Sequence, residues 1–311
     1  MTRKVRFGVT LPQIKRSWAE ARDAAIAFDR LGFDSVWVCD HLYGVPLPSL
    51  PILEAWTELA ALAAVTERVE LGTLVTPPFF RNPAVLAKQI ATLDQISNGR
   101  VVAGLGTGWF EAEFRGYGLP FPPVAQRLQA LEETIEILRL LWSEEKVRYE
   151  GRVFRLEDAY CEPKPVRPPP ILVGGGGEKV LLRIAARHAD IWNNMAATQD
   201  ALPRKIAVLR ERCAEVGRDP ATIEISQQCL VILAATEGEA RAALAKAAKI
   251  YGGHMGAGSE ETALWGTPDG VIERLRRRVD LGCTLFAIEF FGRDTKEPAK
   301  LFAEEVLPAF R

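Results

Sequence analysis

Short β-branched runs alternate with long amphipathic stretches along most of the chain. Val5–Leu11, Ser35–Cys39, Val69–Val75 and Val101–Leu105 each read as a strand. Ser17–Leu31, Ile52–Val65, Asn82–Ile96 and Ala125–Trp142 follow them as helices, the last with Leu128, Leu131, Ile135, Leu138 and Leu141 at helical spacing. Residues 146–170 break the rhythm. VRYEGRVF predicts a hairpin around Glu150–Gly151, and the proline-rich CEPKPVRPPP follows it, so the segment is an insertion. The alternation resumes with strands Ile171–Val173, Asp190–Trp192, Ile223–Leu233 and Leu285–Phe290. Helices are predicted over Lys179–His188, Ala201–Val216, Glu237–Ile250, Gly270–Leu281 and Ala299–Phe310. Eight strands alternating with helices, with no long polar linker, predict one domain over residues 1–311, an α/β fold of the closed (β/α)8 TIM-barrel type. A doubly wound open sheet is the alternative, because the pattern does not encode closure. In a barrel the chemistry sits on the loops that follow the strands, at the carboxyl rim.

Composition narrows the function classes. The 311 residues fit either two ordinary domains or one large barrel, and only the strand pattern favours the second. Lys+Arg 39 against Asp+Glu 40, with no polybasic block, points away from nucleic acid and anionic membranes. The opening MTRKVRFGVTLPQ has no signal-peptide apolar region, and no apolar run reaches membrane-spanning length. Cys39, Cys161, Cys213, Cys229 and Cys283 are odd in number and scattered, which argues against a disulfide framework or zinc cluster and suggests a reducing cytoplasm.

Several rim loops carry candidate chemistry. The second strand ends in VWVCDHL, where Asp40 and His41 form a candidate acid–base pair, although a turn cap and a satisfied loop side chain are the plain structural reading. The third strand runs into VTPP. The fourth ends in GLGTGWFEAEF, whose Gly104, Gly106 and Gly108 would let the flat face of a ligand approach the backbone, with Trp109 and Phe110 beside them. After the fifth strand, Gly174, Gly175, Gly176 and Gly177 lead through Glu178 and Lys179 into a helix, a set of free N–H groups suited to a phosphate; no G-K-[ST] follows. Residues 251–267, with His254 among four glycines, suggest a mobile lid, and Thr267-Pro268-Asp269 is helix-capping punctuation. His188 closes a helix, a position usual for capping. No metal-binding His–Glu pattern and no G-x-S-x-G elbow occurs, so no metal site is expected.

Taken together, FGVTLPQ, LGFDSVWVCDHL, ELGTLVTPPFFRNPAVLAKQIATLDQISNGR, GLGTGWFEAEFRGYGLPF, GGGGEK and HADIWN resemble the bacterial luciferase-like monooxygenase superfamily. Within it the chain is most similar to the branch of oxidoreductases using the deazaflavin coenzyme F420. The resemblance implies a deazaflavin or flavin across the carboxyl rim, commonly in a homodimer. It implies a non-prolyl cis peptide at Leu74–Val75 behind the ring, with Asp40 and Thr76 contacting the ring and Gly106, Thr107 and Gly108 bordering it. Gly175, Gly176 and Gly177 would hold the phosphate, with Gly174 and Glu178 also among the cofactor-binding residues. His41 matches a histidine near the reacting carbon of sugar-phosphate dehydrogenases. Those relatives carry glutamate in the G-T-G-E loop where this chain has Trp109, a departure that argues against the same chemistry; Glu111 or Glu113 is a candidate replacement.

The expected activity is hydride transfer between F420 and an unidentified small organic substrate. Asp40 would anchor the ring, His41 would move the proton, and Trp109 and His254 would line the substrate pocket. A monooxygenase using reduced FMN, O2 and a separate reductase is the alternative, and a non-catalytic flavin-binding barrel a third.

Overall fold

The computed structural model describes residues 4–45, 47–251, 260–292 and 294–311. Eight parallel strands close into a barrel: β1 (Arg6–Thr10), β2 (Ser35–Val38), β3 (Glu70–Thr73), β4 (Val101–Leu105), β7 (Ile171–Gly174), β8 (Ile191–Met195), β9 (Glu224–Leu233) and β11 (Cys283–Phe290). The ring closes through β8–β9, β9–β11 and β11–β1 pairings, so the open-sheet alternative is excluded. The hairpin of the insertion is present as antiparallel β5 (Val147–Glu150) and β6 (Arg155–Ala159). Its turn is held by Glu133 of α5 (Val124–Ser143), whose carboxylate accepts the N–H groups of Arg152, Val153 and Phe154.

The alternation of side chains along each strand divides the core in two. Outward residues pack under the helices, and inward ones, among them Trp37, Val102, Leu172, Ile191, Leu285 and Ala287, fill the barrel. Trp37 spans the interior because its neighbours are glycine: a Cβ at Gly8 or Gly72 would lie 2.3 or 2.5 Å from the indole. At the amino end Arg6 ties β1 to β3 and β9, 2.6 Å from Glu70 and 2.5 Å from Glu224. Stability is thus concentrated inside and below, leaving the carboxyl rim to the loops.

One expected element needs correction. Of the 251–267 segment read as a lid, Tyr251 is the last residue of α8 (Glu237–Tyr251), and Leu264–Gly266 forms a buried strand, β10, parallel to the carboxyl half of β9. The unusually long β9 offers its upper edge after β8 has paired with its lower half, and Trp265 packs there with Leu230 and Ile232. Three residues were too short a run to stand out among the surrounding glycines. Residues 252–259, including His254, lie outside the described residues.

Candidate active site

The expected rim loops all follow carboxyl strand ends: Asp40 and His41 after β2, Leu74–Thr76 after β3, Gly106–Trp109 after β4, and Gly174–Glu178 at the end of β7. The Leu74–Val75 peptide is cis. The segment stitches its neighbours together: Leu74 N–H donates to Val38 O at 2.8 Å, Thr76 N–H to Gly104 O at 2.8 Å, and Gly106 N–H to Thr76 O at 3.1 Å.

The glycines around it make room for the chain itself. A Cβ on Gly104 would lie 1.7 Å from the Thr73 carbonyl, and one on Gly106 2.3 Å from Val75 Cγ2. Gly174 faces Val75 as well, at 2.9 Å from Cγ1. The space a side chain would need at these glycines is therefore filled by Thr73 and Val75. They seat Val75 between β4 and β7. Gly108 has φ +73, a conformation an L side chain rarely adopts, and it turns the loop over Phe114 and Pro77. Arg127 of α5 holds that loop from behind, donating to the carbonyls of Thr107 and Gly108.

Asp40 and His41 diverge. Asp40 is 2% exposed. Its carboxylate accepts from the Thr76 hydroxyl at 2.7 Å and from both terminal nitrogens of Arg81, at 2.7 and 3.2 Å. Trp56 Nε1 donates to the same hydroxyl at 3.0 Å, and Arg81 also pairs with Glu54. Burial pushes the Asp40 carboxyl up, and Arg81 and Thr76 act against that push. Behind Asp40, Gln13 brackets the Cys39 peptide, accepting from its N–H at 2.6 Å and donating to its carbonyl at 3.1 Å. Gln13 also donates to Glu58, whose carboxyl burial pushes up to about 7. Burial likewise pushes the neighbouring Cys39 thiol up to about 12, which leaves it unreactive.

The carboxylate that meets His41 is Glu113, not Asp40. Glu113, 1% exposed, stands on α4 (Glu111–Gly116). Its oxygens lie 3.0 and 3.1 Å from His41 Nδ1 and accept the N–H groups of Leu42 at 2.9 Å and Tyr43 at 3.3 Å. Glu113 thus presents acceptor oxygens to Nδ1, an arrangement that suits a hydrogen on Nδ1 and leaves Nε2 uncommitted to Glu113. Trp109, 61% exposed, stands edge-on to His41 with centroids 5.9 Å apart and stacks on Phe110 at 5.3 Å. Glu111 is turned outward to Arg115 at 2.6 Å.

At the glycine-rich loop, Glu178 pairs with Arg204 of α7 (Leu202–Glu215) at 2.9 Å. The next residue of α7, Lys205, points inward, and a Cβ on Gly176 would lie 2.5 Å from its Nζ. This lysine had no motif to announce it, since it comes from the following β–α unit. Glu132, Glu136 and His188 come close enough to share an ion, but Arg187 and Tyr149 already engage the two carboxylates, and no metal site is drawn from them.

The model of the luciferase-like monooxygenase family matches residues 4–285. The chain belongs to the luciferase-like monooxygenase family. The F420-dependent glucose-6-phosphate dehydrogenase of Microbacterium testaceum is 30% identical to this family member over 334 aligned positions, covering 100% of this chain and 99% of that one. Among solved structures, monooxygenase RslO1 from Streptomyces bottropensis is 27% identical with a TM-score of 0.83, covering 98% of this chain and all of that one. An F420-dependent secondary alcohol dehydrogenase in complex with an F420–acetone adduct is 24% identical with a TM-score of 0.85, covering 99% and 100%, and shows the shared fold. No helix among the described residues of this luciferase-like chain is long and apolar enough to cross a membrane.

Proposed function

We propose that this chain transfers a hydride between coenzyme F420 and a small organic substrate. The observation that carries the reading is the convergence, on one barrel rim, of the Leu74–Thr76 segment bonded between β2 and β4, the glycine loop over Lys205, and the His41–Glu113 pair beside Trp109. The full-length likeness to a dehydrogenase named for F420 supports the cofactor. A bound deazaflavin supplies hydride chemistry, because carbon replaces the flavin N5 and its reduced form reacts sluggishly with oxygen.

The protein's own contribution is placement and a proton. Val75 and its peptide, fixed between β4 and β7, form the support for the ring, bordered by Gly106, Thr107 and Gly108. Asp40 acts from below: by holding the Thr76 hydroxyl and Arg81 it fixes the bulge, and it anchors the ring through that bulge. Gly176 and Gly177, just past the pairing of Gly174 and Gly175 with Asn193, take the phosphate. With Nδ1 committed to Glu113, His41 Nε2 gives or takes the proton that accompanies the hydride. Trp109, standing where the sugar-phosphate dehydrogenases have glutamate, walls an apolar pocket, which favours a weakly polar carbonyl or alcohol over a sugar phosphate.

The test is anaerobic mixing of the purified protein with reduced and oxidised F420 and a panel of short ketones and alcohols, following the deazaflavin absorbance. Turnover supports the proposal. Tight FMN binding with substrate-dependent oxygen uptake and a separate reductase refutes it in favour of an FMN monooxygenase, the second reading, to which the likeness to RslO1 lends weight. We also propose a homodimer, checked by sedimentation, and a reducing cytoplasmic setting, consistent with the five free cysteines.

A further inference from the structure

Lys205 combines burial with a missing counter-charge. It is 7% exposed. Its ammonium donates to the Thr198 hydroxyl at 2.9 Å, and no carboxylate among the described residues pairs with it. Glu178, the acid that acts on it most strongly, is engaged by Arg204 instead. Burial lowers the lysine pKa, as expected for an ammonium withdrawn from water without an anion. Such a charge is costly to keep unless something repays it.

Position supplies the reason. Nζ occupies the space where a Gly176 side chain would begin, so it lies directly against the backbone of the loop. That loop leads within a few residues into α6 (Leu181–His188), whose amino end adds a partial positive charge. Backbone N–H groups alone make a neutral phosphate cradle. A buried ammonium pressed against the same loop makes it a cationic one.

We propose that Lys205, positioned by Thr198, is a cationic ligand of the cofactor's phosphoester, gripping it from the α7 side while Gly176 and Gly177 grip it from the α6 side; the Gly175 N–H is already taken by the Asn193 carbonyl at 3.1 Å. The assignment rests on the cofactor reading above. Gly176 then has two duties, presenting its N–H and leaving room for the ammonium. Arg204, by engaging Glu178, keeps a carboxylate from competing for Lys205.

Fluorescence titration with F420 and, separately, with the ribityl deazaflavin lacking the phosphoester tests this. Lys205→Met and Lys205→Gln should weaken F420 binding by about 10- to 100-fold, the range of one charge-assisted hydrogen bond, and leave the phosphate-free ligand within about two-fold. Lys205→Arg should fall in between. The Gln variant can still bond Thr198, so circular dichroism and the thermal midpoint separate loss of binding from loss of fold. Equal weakening of both ligands, or unchanged F420 affinity, overturns the assignment; the latter is also the outcome if the lysine serves a phosphorylated substrate. A wild-type protein that binds neither deazaflavin overturns the cofactor reading, and this assignment with it.

Discussion

Removing the carboxylate of Glu113 should damage stability and rate by separable amounts. In Glu113→Ala the N–H groups of Leu42 and Tyr43, at 2.9 and 3.3 Å, and His41 Nδ1 at 3.0 Å lose their acceptor in a site 1% exposed. Leaving two backbone donors without a partner costs about 1–3 kcal/mol each where water cannot reach them, so a loss of about 2–6 kcal/mol is expected. For 311 residues at about 2.1 cal/mol/K each, the unfolding entropy is about 0.65 kcal/mol/K, and the midpoint should fall by about 3–9 °C. Glu113→Gln is the cleaner probe. Its single amide oxygen can still accept from a backbone donor, which limits the stability loss to about 1–2 kcal/mol, but its NH2 faces Nδ1 and forces the hydrogen to Nε2. His41 would then present the wrong nitrogen, and the rate of hydride transfer should fall about 10- to 100-fold with cofactor affinity unchanged. His41→Ala should cost a similar factor, and the double variant hardly more, because both act on one proton. Calorimetry and single-turnover absorbance measure the two effects. Full additivity of the rate losses, or a Gln variant as fast as wild type, would refute the coupling.

Two further outcomes test the scaffold. Gly106→Ala, whose Cβ would lie 2.3 Å from Val75 Cγ2, should cost about 1–3 kcal/mol by overpacking and weaken cofactor binding; Val75→Ala in the same chain should restore much of the loss, and a failure of that rescue in thermal melts counts against the packing account. Glu58 has a carboxyl near 4.5 when unfolded and about 7 when folded, so the native state keeps a proton that the unfolded chain releases between those values. Stability should therefore fall as pH rises from about 4.5 to about 7, by at most about 3 kcal/mol, and Glu58→Gln should flatten that slope and exceed wild type at pH 8 while matching it near pH 4.5. Denaturant melts across that range decide, and an unchanged slope in the variant assigns the titration to another group.

What the chain revealed and what it concealed follow from how far apart the cooperating residues lie. The eight strands were legible because burial on both faces gives each a dense apolar run, and the hairpin because Glu150–Gly151 interrupts one. The cis bond at Leu74–Val75 came from likeness alone; nothing in the composition of LGTLVTPP requires it. Adjacent residues invited a pairing that the backbone forbids: Asp40 and His41 are neighbours in sequence, yet one is drawn under the rim to Thr76 and Arg81 while the other turns to Glu113. The partner sits 72 positions away, on a helix in another β–α unit: the resemblance made Glu113 one of two candidate acids, but nothing around Ala112 and Phe114 tied it to His41. Lys205 was invisible for the same reason. α7 places it beside Arg204, and only the close approach of Gly176 tells the inward cation from the outward one. Glycine spacing suggests close approach without saying what approaches: at Gly104 and Gly106 the side-chain space is taken by Thr73 and Val75, and at Gly176 by the Lys205 ammonium. In a barrel the groups that cooperate come from neighbouring units, so an acid lost at one loop position can be replaced from the next turn of the following helix. On the proposed reading, Trp109 in place of glutamate would change the wall of the pocket without removing the His41–Glu113 pair that handles the proton, so substrate preference could drift while that pair stays in place.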